Sequence, residues 1–387
     1  MKLTYDVAII GGGLVGSFFA ISLAKKNPKL NIVIFERSSI QLNSIDKYSI
    51  NRVNRVYAIS QKNVKALETL NCWPSKNVST INIMDISGDA GGNIILDQNL
   101  VNRPYLAKIV ESDNLHKLLF DKIKEIENIT FIYEELKEII AVESYVEIKT
   151  NNSTYNTNLI VGADGVNSFV RSYFNIASSQ IKYNQKGVVA DFECEYLHNN
   201  VAYQWFNNLG ILAYLPLSNN KISIVWSTNN YEELLLQSAA DFAKNAAIAS
   251  NYKLGKLKLI SKPASFSLKM SLVNSLYINK VVLIGDAAHS IHPLAGQGLN
   301  LGFGDAILLS DILGQYKNYQ LSDVSILAKY NSLRMPEIRR MQVICHSLYT
   351  LFNSNISAVS SIRNIGLNTI NSLNFIKKHL IKLAINY

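Results

Sequence analysis

The first part of the chain alternates between short apolar runs and a helical pattern. Residues 5–10 and 31–35 are almost wholly apolar, as in strands buried on both faces, and residues 14–25 between them carry a helical pattern. A strand, a helix and a second strand in this order form a βαβ unit, which implies a parallel sheet. Further buried strands are predicted at 159–163 and 281–285.

A different pattern begins near residue 187 and continues to about 275. Apolar and polar residues alternate there in short runs separated by turns, which is typical of antiparallel strands. We therefore predict an α/β fold: a Rossmann-like domain, an inserted antiparallel sheet and a helical C-terminus. The predicted strands of the insertion are 187–196, 201–206, 210–215, 221–228 and 256–270, with a helix at 231–247. Elsewhere we predict helices at 60–71, 111–127 and over most of 298–387, and a hairpin-like pair of strands at 129–149.

Composition excludes several classes of protein. Hydrophobic residues make up 48% of the 387 residues and charged residues 17%, so a large core is expected and disorder is not. Cys72, Cys194 and Cys345 lack the spacing of a metal site and predict free thiols in a reducing compartment. No run reaches the ~18–20 apolar residues of a membrane span, and no signal-peptide pattern occurs. We expect a cytoplasmic protein. The net charge of +9 is compatible with nucleic acid, an anionic membrane surface or an anionic ligand and does not decide among them; we expect no nucleic acid partner.

A glycine-rich loop follows the first strand directly. Gly11, Gly13 and Gly16 form a G-x-G-x-x-G pattern at the start of the first helix, whose free N–H groups can bind phosphate. Glu36 stands at the end of the next strand, where a carboxylate can accept hydrogen bonds from ribose hydroxyls. The alternative is a plain glycine-rich turn. The context of strand, helix and acidic residue favours a dinucleotide site, without deciding between NAD and FAD.

Two further strands also end in glycine and an acid. Residues 162–171 read GADGVNSFVR, and residues 281–305 read VVLIGDAAHSIHPLAGQGLNLGFGD. In an open α/β sheet ligands bind beyond the carboxyl ends of the strands, where Asp164 and Asp286 stand. Asp286 can bind the hydroxyl groups of a linear polyol. For Asp164 a role as a helix cap is the alternative. The helix that starts at Gly298 can stabilise negative charge with its N–H groups.

The three motifs together resemble those of the class A flavoprotein monooxygenases, the para-hydroxybenzoate hydroxylase-like group. The resemblance extends over nearly the whole chain. Residues 292–305, HPLAGQGLNLGFGD, match the signature of the ubiquinone-biosynthesis hydroxylase family (UbiH-like) residue for residue. Residues 211–227 resemble that family's substrate-domain hairpin, and 55–60 its Arg-x-x-Ala-Leu-Ser element with Ile59 in place of Leu.

The resemblance implies FAD as the bound cofactor and a fold of the glutathione-reductase type. The FAD-binding domain would comprise residues 1–75, 101–176 and 277–387, and the substrate domain 76–100 and 177–276. The glycine loop would hold the pyrophosphate, Glu36 the adenosine ribose and Asp286 the ribityl chain. The implied cofactor-binding residues are Gly11, Gly13, Leu14, Val15, Gly16, Glu36, Arg37, Arg55, Asp164, Gly285, Asp286, Pro293, Gly296, Gln297, Gly298, Leu299 and Asn300.

The implied reaction is hydroxylation of an aromatic ring, with NAD(P)H and O2 as co-substrates and a flavin C4a-hydroperoxide as the oxygen donor. The implied substrate is a polyprenylated phenol of ubiquinone biosynthesis. The alternatives are a monooxygenase for a small soluble aromatic and a non-catalytic flavoprotein subunit of a biosynthetic complex. His292 is a candidate base, with a structural role as its alternative, and we assign no catalytic residue. Substrate-pocket candidates, unless they are ordinary sheet core, are Tyr203, Trp205, Tyr214 and Trp226.

The C-terminal segment is basic. After Glu337 the sequence contains no acidic residue but has apolar residues at three- to five-residue spacing, from Ile356 to Leu380. One interpretation is an amphipathic helix on the inner face of an anionic membrane. The other is a helix packed on the FAD-binding domain. Contact with a membrane or a ubiquinone-biosynthesis complex would suit a prenylated substrate. The basic residues are Arg339, Arg340, Arg363, Lys377, Lys378 and Lys382.

Overall fold

The structure, a computed structural model, describes residues 3–37, 55–207, 209–292, 296–354 and 356–385. Its strands are β1 Leu3–Ile10, β2 Ile32–Phe35, β3 Val56–Ser60, β4 Val78–Ile81, β5 Ile83–Ser87, β6 Asn93–Asp97, β7 Ala107–Glu111, β8 Ile129–Ile132, β9 Leu136–Ala141, β10 Val146–Thr150, β11 Thr154–Gly162, β12 Ser178–Cys194, β13 Val201–Asn207, β14 Gly210–Leu217, β15 Lys221–Thr228, β16 Leu257–Leu259, β17 Ala264–Val273, β18 Tyr277–Ile278, β19 Val281–Leu283 and β20 His289–Ser290. Its α-helices are α1 Leu14–Lys26, α2 Gln61–Thr69, α3 Ser112–Lys124, α4 Phe169–Tyr173, α5 Tyr231–Leu236, α6 Ala239–Ala249, α7 Gly298–Leu313, α8 Val324–Phe352, α9 Ser357–Ser372 and α10 Asn374–Ile385.

The first sheet has the predicted parallel centre. Its main path runs β18-β19-β11-β1-β2-β8, and β11 also pairs with the antiparallel strand β10. β1 is parallel to β2 and β11, and β11 is parallel to β19. Strands buried on both faces need helices to cover them, and α1 and α7 supply part of that cover. The rings of Phe18 and Phe303, 4.8 Å apart, join these two helices. The predicted α/β fold with a helical C-terminus is confirmed.

The second sheet is largely antiparallel, in the order β20-β17-β12-β15-β14-β13-β5-β6 with β16 beside β12. β13 and β5 pair in parallel, so the sheet is mixed rather than purely antiparallel. We predicted a purely antiparallel insertion because β5 and β6, which join this sheet, come from an earlier segment of the chain than the other strands. β12 begins at Ser178, nine residues before the predicted strand, because its first part pairs with β17. β3, β7 and β4 form a third, smaller sheet.

Two local predictions differ from the structure. The pair of strands predicted at 129–149 is instead β8, which joins β2 in parallel, followed by the hairpin of β9 and β10. The helix predicted at 231–247 is two helices, because Ser238 caps α6 by accepting a hydrogen bond from the N–H of Asp241. As a proposal we retain the two-domain division, which the separation of the first and second sheets supports. Among the described residues no helix is long and apolar enough to cross a membrane.

Candidate functional site

The three loops predicted from sequence meet at one edge of the first sheet. In the strand register Ile10 lies beside Gly162, and Gly162 lies beside Leu283. β1, β11 and β19 therefore end level with one another, and the loops after them are neighbours. This edge is the carboxyl end of a parallel sheet, where open α/β folds bind ligands.

The first loop is a tight turn into α1. A Cβ atom at Gly16 would lie 2.1 Å from the carbonyl oxygen of Gly11, so a side chain there would collide with the backbone. At Gly13, in contrast, a Cβ atom would have nothing within 4 Å. The N-terminus of α1 thus borders open space. The Glu36 carboxylate accepts a hydrogen bond from the N–H of Gly12 at 2.8 Å and braces the turn from the end of β2.

The second loop carries Asp164. One carboxylate oxygen accepts a hydrogen bond at 3.1 Å from the N–H of Val170, which lies in the first turn of α4. The other oxygen is buried and has no hydrogen-bond partner among the residues that the structure describes. The guanidinium group of Arg171 donates to the carbonyl oxygen of Ala287 at 2.8 Å and so ties the second loop to the third. Asp164 therefore supports the first turn of α4 beside the N-cap Ser168, and its other oxygen remains an acceptor without a partner among the described residues.

A buried ionic cluster stabilises the third loop. Asp305 on α7 accepts hydrogen bonds from the N–H of Gly285 at 2.8 Å, from His289 Nε2 at 2.6 Å and from Arg334 Nε at 2.6 Å. Burial raises the pKa of Asp305, but the charges of His289 and Arg334 outweigh burial and lower it. Arg334 also donates to the carbonyl oxygen of Leu301. The cluster fixes the peptide immediately before Asp286.

The start of α7 is fastened to the third sheet. The Asn300 side chain accepts a hydrogen bond from the N–H of Ser60 at 2.9 Å and donates to the carbonyl oxygen of Ala58 at 2.8 Å. Gly296 has φ of +60°, a left-handed conformation that favours glycine. The side-chain oxygen of Gln297 is buried without a hydrogen-bond partner in the described part of the chain. Pro293 lies outside the described residues.

These loops border a cavity of about 1370 Å³ that extends between the first and second sheets. Asp286 faces the cavity, and burial raises its pKa, against the charges of His289 and Arg55 that lower it. The guanidinium group of Arg55 lies 5.3 Å from the ring centre of Tyr57. Arg37 is exposed, and Gly11, Gly16, Glu36 and Asp164 support the loops behind the lining. Predicted cofactor-binding residues in the lining are Gly13, Leu14, Val15, Arg55, Gly285, Asp286, Gly296, Gln297, Gly298, Leu299 and Asn300.

The residues around this cavity fit FAD. Gly13 and Gly298, at the N-termini of α1 and α7, both border open space, so an anionic group can approach the free N–H groups of either helix. The unpaired oxygen of Gln297 can accept hydrogen bonds from a polar ring. The carboxylate of Asp286 can bind hydroxyl groups. When bound, FAD would supply hydride and oxygen chemistry that no side chain here provides.

Three of the four aromatic substrate-pocket candidates lie in or against the core of the second sheet and not in the cavity lining. Trp205, Tyr214 and Trp226 lie on the face of the second sheet that packs against α6, and none of them lines the cavity. The Tyr214 hydroxyl donates to the carbonyl oxygen of Ala246 at 2.7 Å, inside that core. Tyr203 borders the cavity, but its ring stacks on Trp205. The positions of Trp205, Tyr214 and Trp226 therefore agree with the alternative stated above, that these side chains are ordinary sheet core.

The two histidines of the third motif occupy unlike positions. His289 is held by Asp305 in the ionic cluster. His292 is fully buried between the rings of Tyr183 and Tyr349, at centroid distances of 4.9 and 5.1 Å. Neither ring nitrogen of His292 has a hydrogen-bond partner among the described residues, and burial lowers its pKa to about 4. His292 is not among the residues that line the cavity, so the geometry supports its structural alternative.

The sequence did not single out several residues that line the cavity. His116 on α3 is one, and burial lowers its pKa. Phe266 and Lys269 on β17 are others, as are Ile381 and Ile385 on α10. No local motif surrounds these residues. The helical spacing of 381 and 385 was visible, but the sequence did not show what that face would contact.

A model of the FAD binding domain family matches residues 127–343, more than half of the chain. The solved structure of the p-nitrophenol 4-monooxygenase PnpA from Pseudomonas putida superimposes with a TM-score of 0.80. It covers 100% of this chain and 99% of that one at 14% sequence identity, so the likeness is one of fold. Fold, site and domain match together define an FAD-binding flavoprotein.

Curated relatives narrow this class. The chain is 30% identical to the ubiquinone biosynthesis monooxygenase COQ6 of Dictyostelium discoideum, over 98% of this chain and 91% of the relative. It is 26% identical to the 3-demethoxyubiquinol 3-hydroxylase of Escherichia coli, over 98% of both chains. The chain belongs to the family of FAD-dependent monooxygenases that includes these enzymes.

Proposed function

We propose that this protein hydroxylates the aromatic ring of a phenol with an aliphatic tail, as a step of ubiquinone biosynthesis. The observation that carries the proposal is the cavity. It starts at the FAD-binding loops and continues to a part of its wall that is lined by aliphatic and small residues, among them Ile81, Leu96 and Leu106. Its volume of about 1370 Å³ exceeds the ~300–1,000 Å³ usual for a single ligand, which suits a flavin together with a tailed substrate.

The chain's own residues would position the two ligands and exclude water. The ionic cluster of Asp305, His289 and Arg334 fixes the loop that carries Asp286. Asn300 fixes the start of α7, whose N–H groups favour negative charge on the cofactor. The apolar wall keeps the reacting centre dry, which limits unproductive loss of the oxidant to water.

The test is product analysis with purified, flavin-loaded protein. We expect NADH or NADPH oxidation to be stimulated by a phenol with a prenyl tail, and oxygen from 18O2 to appear in the ring by mass spectrometry. Phenol and 4-hydroxybenzoate without a tail are the comparison substrates. Equal or better turnover of the tailless compounds would favour the small-aromatic alternative. No flavin reduction with any substrate would favour a non-catalytic subunit and contradict the proposal.

We also propose that the C-terminal helices contact an anionic membrane. Val343, Ile362, Ile365 and Phe375 are each more than 60% exposed on α8, α9 and α10. Exposed apolar side chains beside basic ones are the arrangement that binds the interface of an anionic bilayer. Arg363 is excluded from this contact because it pairs with Asp89 in the protein. Further cations of the segment are Arg339, Lys377, Lys378 and Lys382.

Flotation with liposomes tests this contact. The double substitution Ile362→Ser with Ile365→Ser should reduce flotation with vesicles that contain phosphatidylglycerol, because it removes two exposed apolar side chains. The matched control is Leu236→Ser on α5, since Leu236 is 87% exposed and lies outside the C-terminal helices. Equal flotation of the double variant and the control would contradict membrane contact. Truncating the chain is a poorer test, because Ile381 and Ile385 are buried.

A further inference from the structure

Helix α10 forms part of the cavity wall. Ile381, Ala384 and Ile385 recur at the spacing of one helical face, and all three line the cavity. Ile381 and Ile385 are 1% and 4% exposed. The residues opposite them in the same apolar cluster come from the segment between β4 and β7 and from β13. They are Ile81, Leu96, Leu106 and Ala202, and with the three α10 residues we name them the apolar chamber.

Helix α9 is fastened to the edge of the second sheet. Asn364, Asn368 and Asn371 lie on one face of α9. Their side-chain oxygens accept hydrogen bonds from the backbone N–H groups of Gly92, Asn93 and Ile95, at 2.8, 2.9 and 3.1 Å. These donors belong to β6 and the residue before it, at the outer edge of the sheet, where backbone groups otherwise stay unpaired.

An ion pair adds to this attachment. Arg363 of α9 pairs with Asp89 just before β6, and Asn364 donates to the same carboxylate at 2.8 Å. Burial raises the pKa of Asp89, but hydrogen bonds from Arg363, Asn364 and Ser360 outweigh it and lower the pKa to about 2. α9 ends at Ser372, and the non-helical Leu373 (φ −103°, ψ 88°) leads into α10. A firmly held α9 therefore fixes the place at which α10 closes the chamber.

Resting on the function proposed above, we propose that α10 is the specificity-determining wall for the substrate's tail. The apolar chamber binds the aliphatic chain, and Ile381, Ala384 and Ile385 limit how much of it fits. No polar group is needed for this, because burial of CH2 groups alone favours the longer tail. Ala384 lines the cavity but is also exposed at the surface, so a larger side chain there would narrow the chamber at its open side. A smaller side chain at 381 would enlarge it.

Two opposite substitutions test the wall. Activity is measured in detergent on 2-prenylphenol and 2-farnesylphenol, and the readout is the ratio of kcat/KM for the longer to the shorter tail. Ala384→Phe should lower this ratio by about tenfold, the loss expected for one to two CH2 groups kept out of the chamber. Ile381→Ala should raise it. The matched control is His379→Ala, because His379 is exposed on the same helix, and it should leave the ratio unchanged.

A binding experiment separates the wall from turnover. Farnesol has a tail but no phenol ring, and calorimetric titration should show weaker binding to Ala384→Phe than to the unsubstituted protein. Flavin absorbance and the thermal midpoint check that each variant is folded, and Ile385→Val is the conservative replacement if one is not. If the unsubstituted enzyme prefers 2-farnesylphenol and both variants keep its ratio, the proposed wall is overturned while the function stands. If the unsubstituted protein hydroxylates neither tailed phenol, the proposed function itself fails.

Discussion

The two faces of the second sheet differ in what covers them: one face packs against helix α6, and the other borders the cavity. Along β14, Leu212 and Tyr214 are fully buried against α6, whereas Ala213 and Leu215 point to the cavity and are half-buried. The neighbouring strand β15 repeats the arrangement, with Trp226 on the helix side. On β14 and β15 the aromatic side chains thus lie on the closed face, whereas Ala213, Leu215 and Val225 lie on the open face.

This difference teaches how to interpret aromatic residues in a substrate sheet. Aromatic side chains bury a large area and pack edge-to-face, as Trp205 and Tyr214 do at 4.8 Å, so they fill closed cores well. A ligand chamber needs the reverse, because a bulky side chain would occupy the ligand's volume. The alternation of strand residues predicts two faces, but it does not show which face a helix covers.

The strongest test of the comparison is Trp226→Ala on the helix face. Trp226 is 2% exposed, so the substitution leaves a cavity in the core, and we expect a loss of about 3–5 kcal/mol in the free energy of unfolding. Urea unfolding measures it. The control is Val225→Ala, the next residue, which lines the cavity on the other face. An equal loss in both variants would mean that the two faces do not differ in packing.

The comparison extends to His292, which is enclosed by aromatic rings like the residues of the helix face. Its pKa is about 4 when folded against 6.5 when exposed, so between these values the unfolded chain binds more protons and stability falls as pH falls. His292→Phe removes this penalty. We expect the variant to gain about 2 kcal/mol relative to the unsubstituted protein between pH 7 and pH 5. Urea unfolding at both pH values measures the gain.

The control is His289→Phe, which should destabilise the protein at both pH values because it removes one of the hydrogen bonds that the buried Asp305 carboxylate accepts. A parallel pH dependence of His292→Phe and the unsubstituted protein would show that His292 is not neutral when folded. Loss of flavin reduction with stability unchanged would instead restore the catalytic hypothesis for His292.

Local motifs explain why much of the FAD site could be predicted. Gly11 to Gly16, Asp164 and Asp286 each follow a buried strand directly, so their positions depend on only a few neighbouring residues. The parallel register then brings them together. The α/β fold could be predicted from the same buried strands. The residue before Asp286 is held by Asp305, whose partners His289 and Arg334 are 16 and 29 residues away in sequence.

Long-range contacts explain what could not be predicted. The parallel pairing of β5 with β13 joins segments more than one hundred residues apart, and no periodicity in either strand specifies its partner. The attachment of α9 to β6 depends on three asparagines whose acceptors could equally face water. The cavity-lining position of Ile381 likewise depends on the packing of α10 against distant segments of the chain. Spacing in the sequence indicates that a helix has an apolar face, but not what the face contacts.

Ala213→Leu probes the open face. Ala213 is half-buried and lines the cavity, so the added methyl groups should enter ligand space. We expect the free energy of unfolding to change by less than about 1 kcal/mol, and kcat/KM for a tailed phenol to fall by about tenfold, or ~1.4 kcal/mol. Urea unfolding and steady-state kinetics measure the two effects. A large loss of stability with unchanged kinetics would place Ala213 in a closed core and reverse the assignment of the faces.

The smallest expected effect is that of Tyr214→Phe on the closed face. The change removes only the hydroxyl group that donates to Ala246, so we expect a loss of about 1 kcal/mol in stability. Flavin binding and kcat/KM should remain unchanged, because Tyr214 has no contact with the cavity. Ser250→Ala removes a hydroxyl group that interacts with the Tyr214 hydroxyl, so we expect a loss of stability of similar size. If Tyr214→Phe instead slowed hydroxylation at full stability, the aromatic residues would have a part in the reaction, and the division of the sheet into a structural and a functional face would be wrong.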